Sequence, residues 1–304
     1  MNQYIIALGM FDGVHLGHQE LLKKTSMTAL ENGDTSVVFT YTNHPRELFC
    51  GSFEYLTPLD QRSSLYKSFG IEKVDAVEFT AEFAARTPEA FIEWLMNRYE
   101  RRIGCIVCGY DYRFGKNATG DSHVLEEIGK KMGFIAEVLP AVIYAGQPCS
   151  STRIREALKT GDLDSANGML GRPYAINGLV VHNKAIGRKI GFPTANIDPI
   201  HQLLPKDGVY ATALKAGDRI YASVTNIGSN PTVGGEKRTI ETHIPDFDSN
   251  LYGRNVTVFF MERLRNEICF PDVESLKKQI AEDTATAKKV YKENEKSVYK
   301  FSNL

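Results

Sequence analysis

Short apolar, β-branched runs alternate with longer stretches of helical period from residue 4 to about residue 170. The runs at 4–8, 36–41, 75–79, 103–108 and 134–139 predict strands, and the stretches at 16–31, 58–69, 88–102 and 121–132 predict helices, three of them with Pro or Asp near the start. Alternation of this kind predicts a doubly wound, Rossmann-like parallel sheet with helices on both faces. After Gly171-Arg172-Pro173 the pattern changes. Residues 174–182, 209–215, 219–226, 239–244 and 255–263 alternate apolar and polar positions without long helices between them, which predicts a small antiparallel barrel. Leu276, Ile280, Thr284, Ala287 and Val290 then recur at spacings of four or three, giving a last helix one face able to cover that barrel. The expected organisation is therefore two domains, 1–170 and 171–304.

Composition adds limits. A chain of 304 residues suits two domains. With 42% hydrophobic and 24% charged residues it is neither disordered nor membrane-embedded by composition. A net charge of -1 gives no general electrostatic case for nucleic acid, so small-molecule substrates are expected, with no nucleic-acid or membrane partner. The opening residues have neither a basic n-region nor a long apolar run, so a cytoplasmic location is expected. Five scattered cysteines do not make a disulfide framework, and the Cys105-Ile106-Val107-Cys108 spacing sits in an apolar run that favours core packing over metal or redox chemistry. Nothing in the pattern decides whether the chain forms a homo-oligomer.

In parallel sheets of this type ligands sit at the carboxyl ends of the strands. Four polar segments, 9–18, 42–46, 109–115 and 150–155, each follow a predicted strand, so one topology would gather them at one edge. The first, Gly9-Met10-Phe11-Asp12-Gly13-Val14-His15-Leu16-Gly17-His18, runs from strand to helix. At a helix N-terminus two imidazoles and free N–H groups can face one anion, and glycines let a phosphate approach the backbone. Ser150-Ser151-Thr152-Arg153-Ile154-Arg155 also opens a helix, and its hydroxyls and guanidinium groups suit phosphate, although alone it would be an ordinary cap.

In the second half, Gly187-Arg188-Lys189-Ile190-Gly191-Phe192-Pro193-Thr194-Ala195-Asn196 is the most specific string. Its glycines can form a phosphate-cradling loop, and Thr194 and Asn196 are hard oxygen ligands suited to Mg²⁺. Glu241, on a predicted strand, would by itself be a solvated surface carboxylate.

The HxGH and SSTxIR segments together resemble the nucleotidyltransferase superfamily. Asn43-His44-Pro45-Arg46 and Gly109-Tyr110-Asp111-Tyr112-Arg113-Phe114-Gly115 resemble stretches of bacterial FAD synthetases. The PTAN string, with Asn226-Ile227-Gly228-Ser229-Asn230-Pro231-Thr232 and Glu241-Thr242-His243, resembles the riboflavin kinase family. In this order the halves resemble the bacterial bifunctional riboflavin kinase/FMN adenylyltransferase family over nearly the whole chain. The resemblance implies an α/β nucleotidyltransferase domain, a six-stranded barrel kinase domain, ATP with Mg²⁺ at both sites, and riboflavin, FMN and FAD as substrates and products.

It further implies site residues. His15 and His18 would hold the α-phosphate, with Gly9, Phe11 and Gly13 around the nucleotide and Ser151, Thr152 and Arg155 on the leaving pyrophosphate. His44, Pro45, Asp111, Tyr112 and Phe114 would hold flavin, Tyr112 and Phe114 being equally good core residues. In the kinase half, Gly187, Gly191, Pro193, Thr194 and Asn196 would bind ATP and metal, and Glu241 would be the base. Arg263 and Arg265 could neutralise product phosphate or form surface ion pairs. Met10 stands where Asn is common, Asn43 where Asp usually precedes His-Pro, and Ala118 where a basic residue is frequent. These departures make a kinase with a degenerate or altered front domain the chief alternative. A nucleotidyltransferase for another acceptor would leave the PTAN string and Glu241 idle, and a flavin-responsive regulator without turnover would need a partner-binding surface, for which the sequence has no basic stripe or exposed amphipathic segment.

Overall fold

The computed structural model describes residues 2–182, 191–199, 201–232 and 235–302, with the side chains of Phe49 and of residues 230–237 left aside. The chain divides into two compact units, Met1–Ser151 and Thr152–Leu304.

In the first unit β1 (Tyr4–Leu8), β2 (Thr35–Tyr41), β3 (Lys73–Val77), β4 (Ile103–Gly109) and β5 (Ile135–Leu139) form one sheet in the order β3-β2-β1-β4-β5. Every pairing is parallel. Parallel strands joined by crossovers need both faces covered, which is why β1 is buried at every position from Ile5 to Leu8. The helices Leu16–Asn32 (α1), Leu59–Ser68, Pro88–Arg98 and Ser122–Met132 supply the cover. Their ends follow local chemistry. The Thr87 side chain caps the helix whose first residue is Pro88, the Asp121 carboxylate accepts from Val124 N–H, and Gly33 and Gly133 close their helices in the left-handed conformation. Phe39, Phe91, Leu95, Ile106 and Leu125 centre the core, each worth about 1.5–3 kcal/mol relative to exposure. Cys105 and Cys108 lie within β4, and burial pushes their thiols up to about 11 and about 12, so both remain neutral packing atoms at ordinary pH. A hairpin too short to be read in the sequence, β6 (Ile143–Tyr144) with β7 (Gln147–Pro148), precedes Ser150-Ser151. That segment therefore follows a hairpin, and not a strand of the sheet.

The second unit is a closed barrel of β8 (Tyr174–Val181), β9 (Thr194–Pro199), β10 (Gly208–Ala216), β11 (Arg219–Thr232), β12 (Gly235–His243) and β13 (Asn255–Arg265), in the order β10-β11-β12-β9-β8-β13. Five of these were expected from alternation. The sixth, β9, is the PTAN segment itself, anticipated as part of a ligand loop. Alternate residues of β10 face opposite ways. Val209, Ala211 and Ala213 pack with Ala287, Val290 and Val298 of the last helix, Val273–Lys300, whereas Tyr210, Thr212 and Leu214 point into the barrel. Inside, a row of hydroxyls crosses three strands: Thr242 to Thr225 at 2.9 Å, Thr225 to Thr212 at 2.8 Å and Thr212 to Ser223 at 2.8 Å, all fully buried. Buried hydroxyls are stable only when mutually bonded, so this row fixes the register of β10, β11 and β12.

Thr225→Val removes the middle of the row, taking from Thr242 its partner there and leaving Thr212 with Ser223. A loss of about 1–3 kcal/mol is expected in urea unfolding of the second unit.

Candidate functional sites

Because the first sheet is wholly parallel, the residues that follow β1, β2 and β4 reach the same edge. The sheet order reverses between β1 and β4, the position where such sheets bind ligands. The turn from β1 into α1 has an unusual backbone. Phe11 (φ 52°), Gly13 (φ 86°) and Val14 (φ 42°) are left-handed, and a β-branched residue there is a true outlier. Phe11 and Val14 are also almost wholly buried, so packing holds them in place.

His15 is the N-cap of α1, and its Nδ1 accepts the His18 N–H at 3.3 Å. A neutral ring accepting at Nδ1 carries its proton on Nε2. The His15 and His18 rings stack at 3.6 Å, and Phe11 meets His18 edge-on at 5.2 Å. The spacing of the motif has a steric reason: a Cβ on Gly17 would stand 3.2 Å from His15 Cε1, and one on Gly9 would stand 2.9 Å from the Phe11 ring. Two anchors hold the turn. Asp12, absent from the sequence reading of the site, accepts from Leu56 N–H at 3.1 Å and Thr57 N–H at 3.0 Å. Ser151 Oγ donates to the Asp12 carbonyl at 2.7 Å. The first turn and the start of the SSTxIR segment are thus brought together across 139 residues of chain. Thr152 and Arg155 continue the helix Ser151–Thr160 at positions that belong to the second unit.

Beyond β2, Asn43 completes a paired bond with one residue: Nδ2 donates to the Phe79 carbonyl at 3.1 Å, and Oδ1 accepts the Phe79 N–H at 2.7 Å. An amide does both and an ionised carboxylate only accepts, which gives a structural reason for Asn at this position. His44 stacks on Phe53 at 3.7 Å, its N–H donates to the Tyr55 hydroxyl at 2.7 Å, and its Nδ1 accepts from Arg46 N–H. Pro45 is half-buried beside it. Beyond β4, Asp111 is exposed. Tyr112 lies parallel to Phe114 with centroids 5.6 Å apart, and burial drives its hydroxyl well above the ordinary range. Phe114 is 5% exposed within the aromatic core against Phe91, and a Cβ on Gly120 would touch its ring at 2.8 Å. Of the two alternatives open for Phe114, the structure places it in the core.

The barrel brings the kinase residues together by register. Asn196 on β9 is directly opposite Glu241 on β12, and Asn226 on β11 is opposite Glu241 on the other side. Thr194 is opposite His243. Their neighbours Ile197, Ile240 and Thr242 are buried in the interior, so the row Asn196, Glu241, Asn226 lies on the outer face. Beside it, His243 Nδ1 is 2.9 Å from the Pro193 carbonyl, and its ring meets Phe192 edge-on at 5.4 Å. A cleft of about 740 Å³ opens here, walled by Gly191, Phe192, Pro193, Ile244, Pro245 and Phe247 among others. Gly187 lies outside the described residues.

Arg263 serves the scaffold in this structure: its Nη2 donates to the Asp207 carbonyl at 2.9 Å and to Asn266 Oδ1 at 2.6 Å. Arg265 is bound through Nη2 to the buried Asp283 at 2.7 Å. Glu267, unmarked by any motif weighed in the sequence, accepts from Asn226 Nδ2 at 2.9 Å and lies where a Cβ on Gly228 would be 2.1 Å away. Among the described residues no group of His, Cys, Asp and Glu is arranged to hold a metal, and no helix is long and apolar enough to cross a membrane.

A parallel-sheet unit with an imidazole pair at its strand-to-helix turn is followed by a barrel with one carboxylate set between two amides, and comparisons with known proteins make the whole a two-headed transferase. The model of FAD synthetase matches residues 1–153, and that of riboflavin kinase matches residues 170–291. The chain is 38% identical over 287 residues to the bifunctional riboflavin kinase/FMN adenylyltransferase of Haemophilus influenzae, covering 93% of this chain and 92% of that one. It is 36% identical over 290 residues to the enzyme of the same name from Escherichia coli, covering 94% and 92%. A crystal structure of a macrolide-efflux protein from Streptococcus pneumoniae shares the fold at a TM-score of 0.86 and 30% identity, covering 94% of each chain. The chain belongs to the bifunctional riboflavin kinase/FMN adenylyltransferase family.

Asn43→Asp keeps the acceptor and loses the donor. A loss of about 1 kcal/mol in the unfolding of the first unit is expected, measured by urea titration.

Proposed function

We propose that the chain runs two successive transfers from ATP, phosphorylating riboflavin to FMN in the second half and adenylylating FMN to FAD, with release of pyrophosphate, in the first. The functional division falls at 170/171, so that the kinase domain spans 171–304. The two reactions ask for different chemistry. A primary alcohol of the ribityl chain has a pKa far above neutral and gains from a base, whereas an FMN phosphate is already ionised and needs alignment and charge stabilisation.

In the kinase, Glu241 takes the alcohol proton as the oxygen attacks the γ-phosphorus and ADP leaves. The observation that carries this assignment is the register that sets Glu241 directly opposite Asn196, two residues along β12 from His243, which lines the open cleft. Phe192, Pro193, Ile244 and Phe247 give that cleft the apolar walls a nucleotide base requires, with Gly191 in the phosphate loop. Thr194 and Asn196 offer hard oxygens on one side of β9, a donor set that fits Mg²⁺. When bound, Mg²⁺ would neutralise phosphate charge there. Arg263 lies on the strand adjoining β10, and its part in holding product phosphate is secondary to its scaffold bonds.

In the adenylyltransferase, a phosphate oxygen of FMN attacks the α-phosphorus. Nε2–H of His15, with His18, steadies the charge that builds there, while Gly9, Phe11 and Gly13 shape the turn. Ser151, Thr152 and Arg155 serve the leaving pyrophosphate. His44, Pro45, Asp111 and Tyr112 line the flavin side, with Phe114 behind Tyr112 as its support. Soluble substrates of this kind fit a cytosolic enzyme.

His15→Ala should abolish FAD formation from FMN and leave FMN formation from riboflavin unchanged, followed as separate products by chromatography. Glu241→Gln should lower FMN formation by about a hundredfold or more with ATP binding retained.

A further inference from the structure

Among the described residues, Arg62 is a fully buried cation next to the turn after β1 that the assignments above leave unused. It lies on the helix Leu59–Ser68, is 0% exposed, and ranks among the largest wholly buried side chains. Its Nη1 donates to the Met10 carbonyl and its Nη2 to the Tyr41 carbonyl, which are the residues just past β1 and at the end of β2. Thr40 Oγ1 donates to the same Met10 carbonyl at 3.3 Å. The Tyr55 ring lies 5.8 Å from the guanidinium carbon, and Nε has no hydrogen-bond partner.

Two facts set this arginine apart from an ordinary structural one. Among the described residues its bonds run to backbone carbonyls, and no salt bridge joins it to a carboxylate. Removing an unpaired guanidinium from water costs several kcal/mol, which carbonyl bonds alone offset poorly. Its position also matters, because the Met10 carbonyl it grips immediately precedes the left-handed residues Phe11, Gly13 and Val14.

We propose that Arg62 is a positioning residue for adenylyl transfer: it clamps the β1 and β2 ends so that the strained turn keeps its shape, with a buried positive charge behind the turn that would receive polyphosphate. The inference rests on the reading of this turn as the phosphate site. A group that merely filled the core would tolerate a neutral side chain of equal length. A group acting through the turn would lose turnover when that happened, because alignment is worth most in the transition state.

The test uses the full chain, with riboflavin phosphorylation as an internal control. For Arg62→Met, FAD formation is expected to fall at least about thirtyfold in kcat, with KM for ATP changed by less than about threefold and FMN formation unaltered. Arg62→Lys, which keeps charge but reaches one carbonyl, is expected to lose about tenfold. Wild-type kcat in Arg62→Met would overturn the proposal, as would loss of the first unit's melting transition in both variants, which would make the residue purely structural. His15→Ala separates the two levels: if it retains FAD formation, the reading of the turn fails, and if it abolishes FAD formation while Arg62→Met does not, only the present inference fails.

Discussion

The backbone between β1 and α1 passes through the left-handed region at Phe11 and Val14, and the rest of the first unit makes that conformation tolerable. Each such residue costs on the order of 1–3 kcal/mol and persists only where its surroundings over-determine it. Here those surroundings are specific. Phe11 and Val14 are buried, the Asp12 carboxylate collects two backbone N–H groups, Ser151 holds the Asp12 carbonyl, and Arg62 holds the Met10 carbonyl. The return is geometric: the turn ends with His15 as cap and its ring stacked on His18, so two imidazoles are fixed at the helix N-terminus without using a loop of uncertain shape.

The barrel reaches the same end by other means. Its site residues come from strands, and their relative positions follow from hydrogen-bond register, which a closed sheet leaves little freedom to slip. The interior hydroxyl row ties β10, β11 and β12 to one alignment, and that alignment sets Asn226, Glu241 and Asn196 in line on the outside. One unit thus fixes its chemistry by strain held against packing, the other by register.

Much of this was legible in the residue pattern. β1 begins and ends where alternation placed it, and α1 and the helix at Ser122–Met132 agree to within a residue at each end, because apolar period and capping residues coincide there. β9 escaped notice because Thr194-Ala195-Asn196 is short, polar and preceded by glycines, so its strand character comes from pairing with β8 and β12 and not from its own composition. Asp12, Arg62 and Glu267 were missed for a related reason: their partners are backbone groups or side chains far along the chain, and no spacing rule announces such contacts. Phe114 shows the converse limit. An aromatic residue in a ligand-like string can face inwards, and only the neighbouring Phe91 and Gly120 reveal that it does.

The two thiols of β4 sit in the interior of a protein devoted to making redox cofactors. With both protons retained and both residues buried, these thiols are poor nucleophiles and poor targets for oxidants in the folded chain. Cys50 and Cys269, by contrast, are exposed. The pair with the spacing of a redox centre thus holds the least accessible sulfur among the chain's five cysteines.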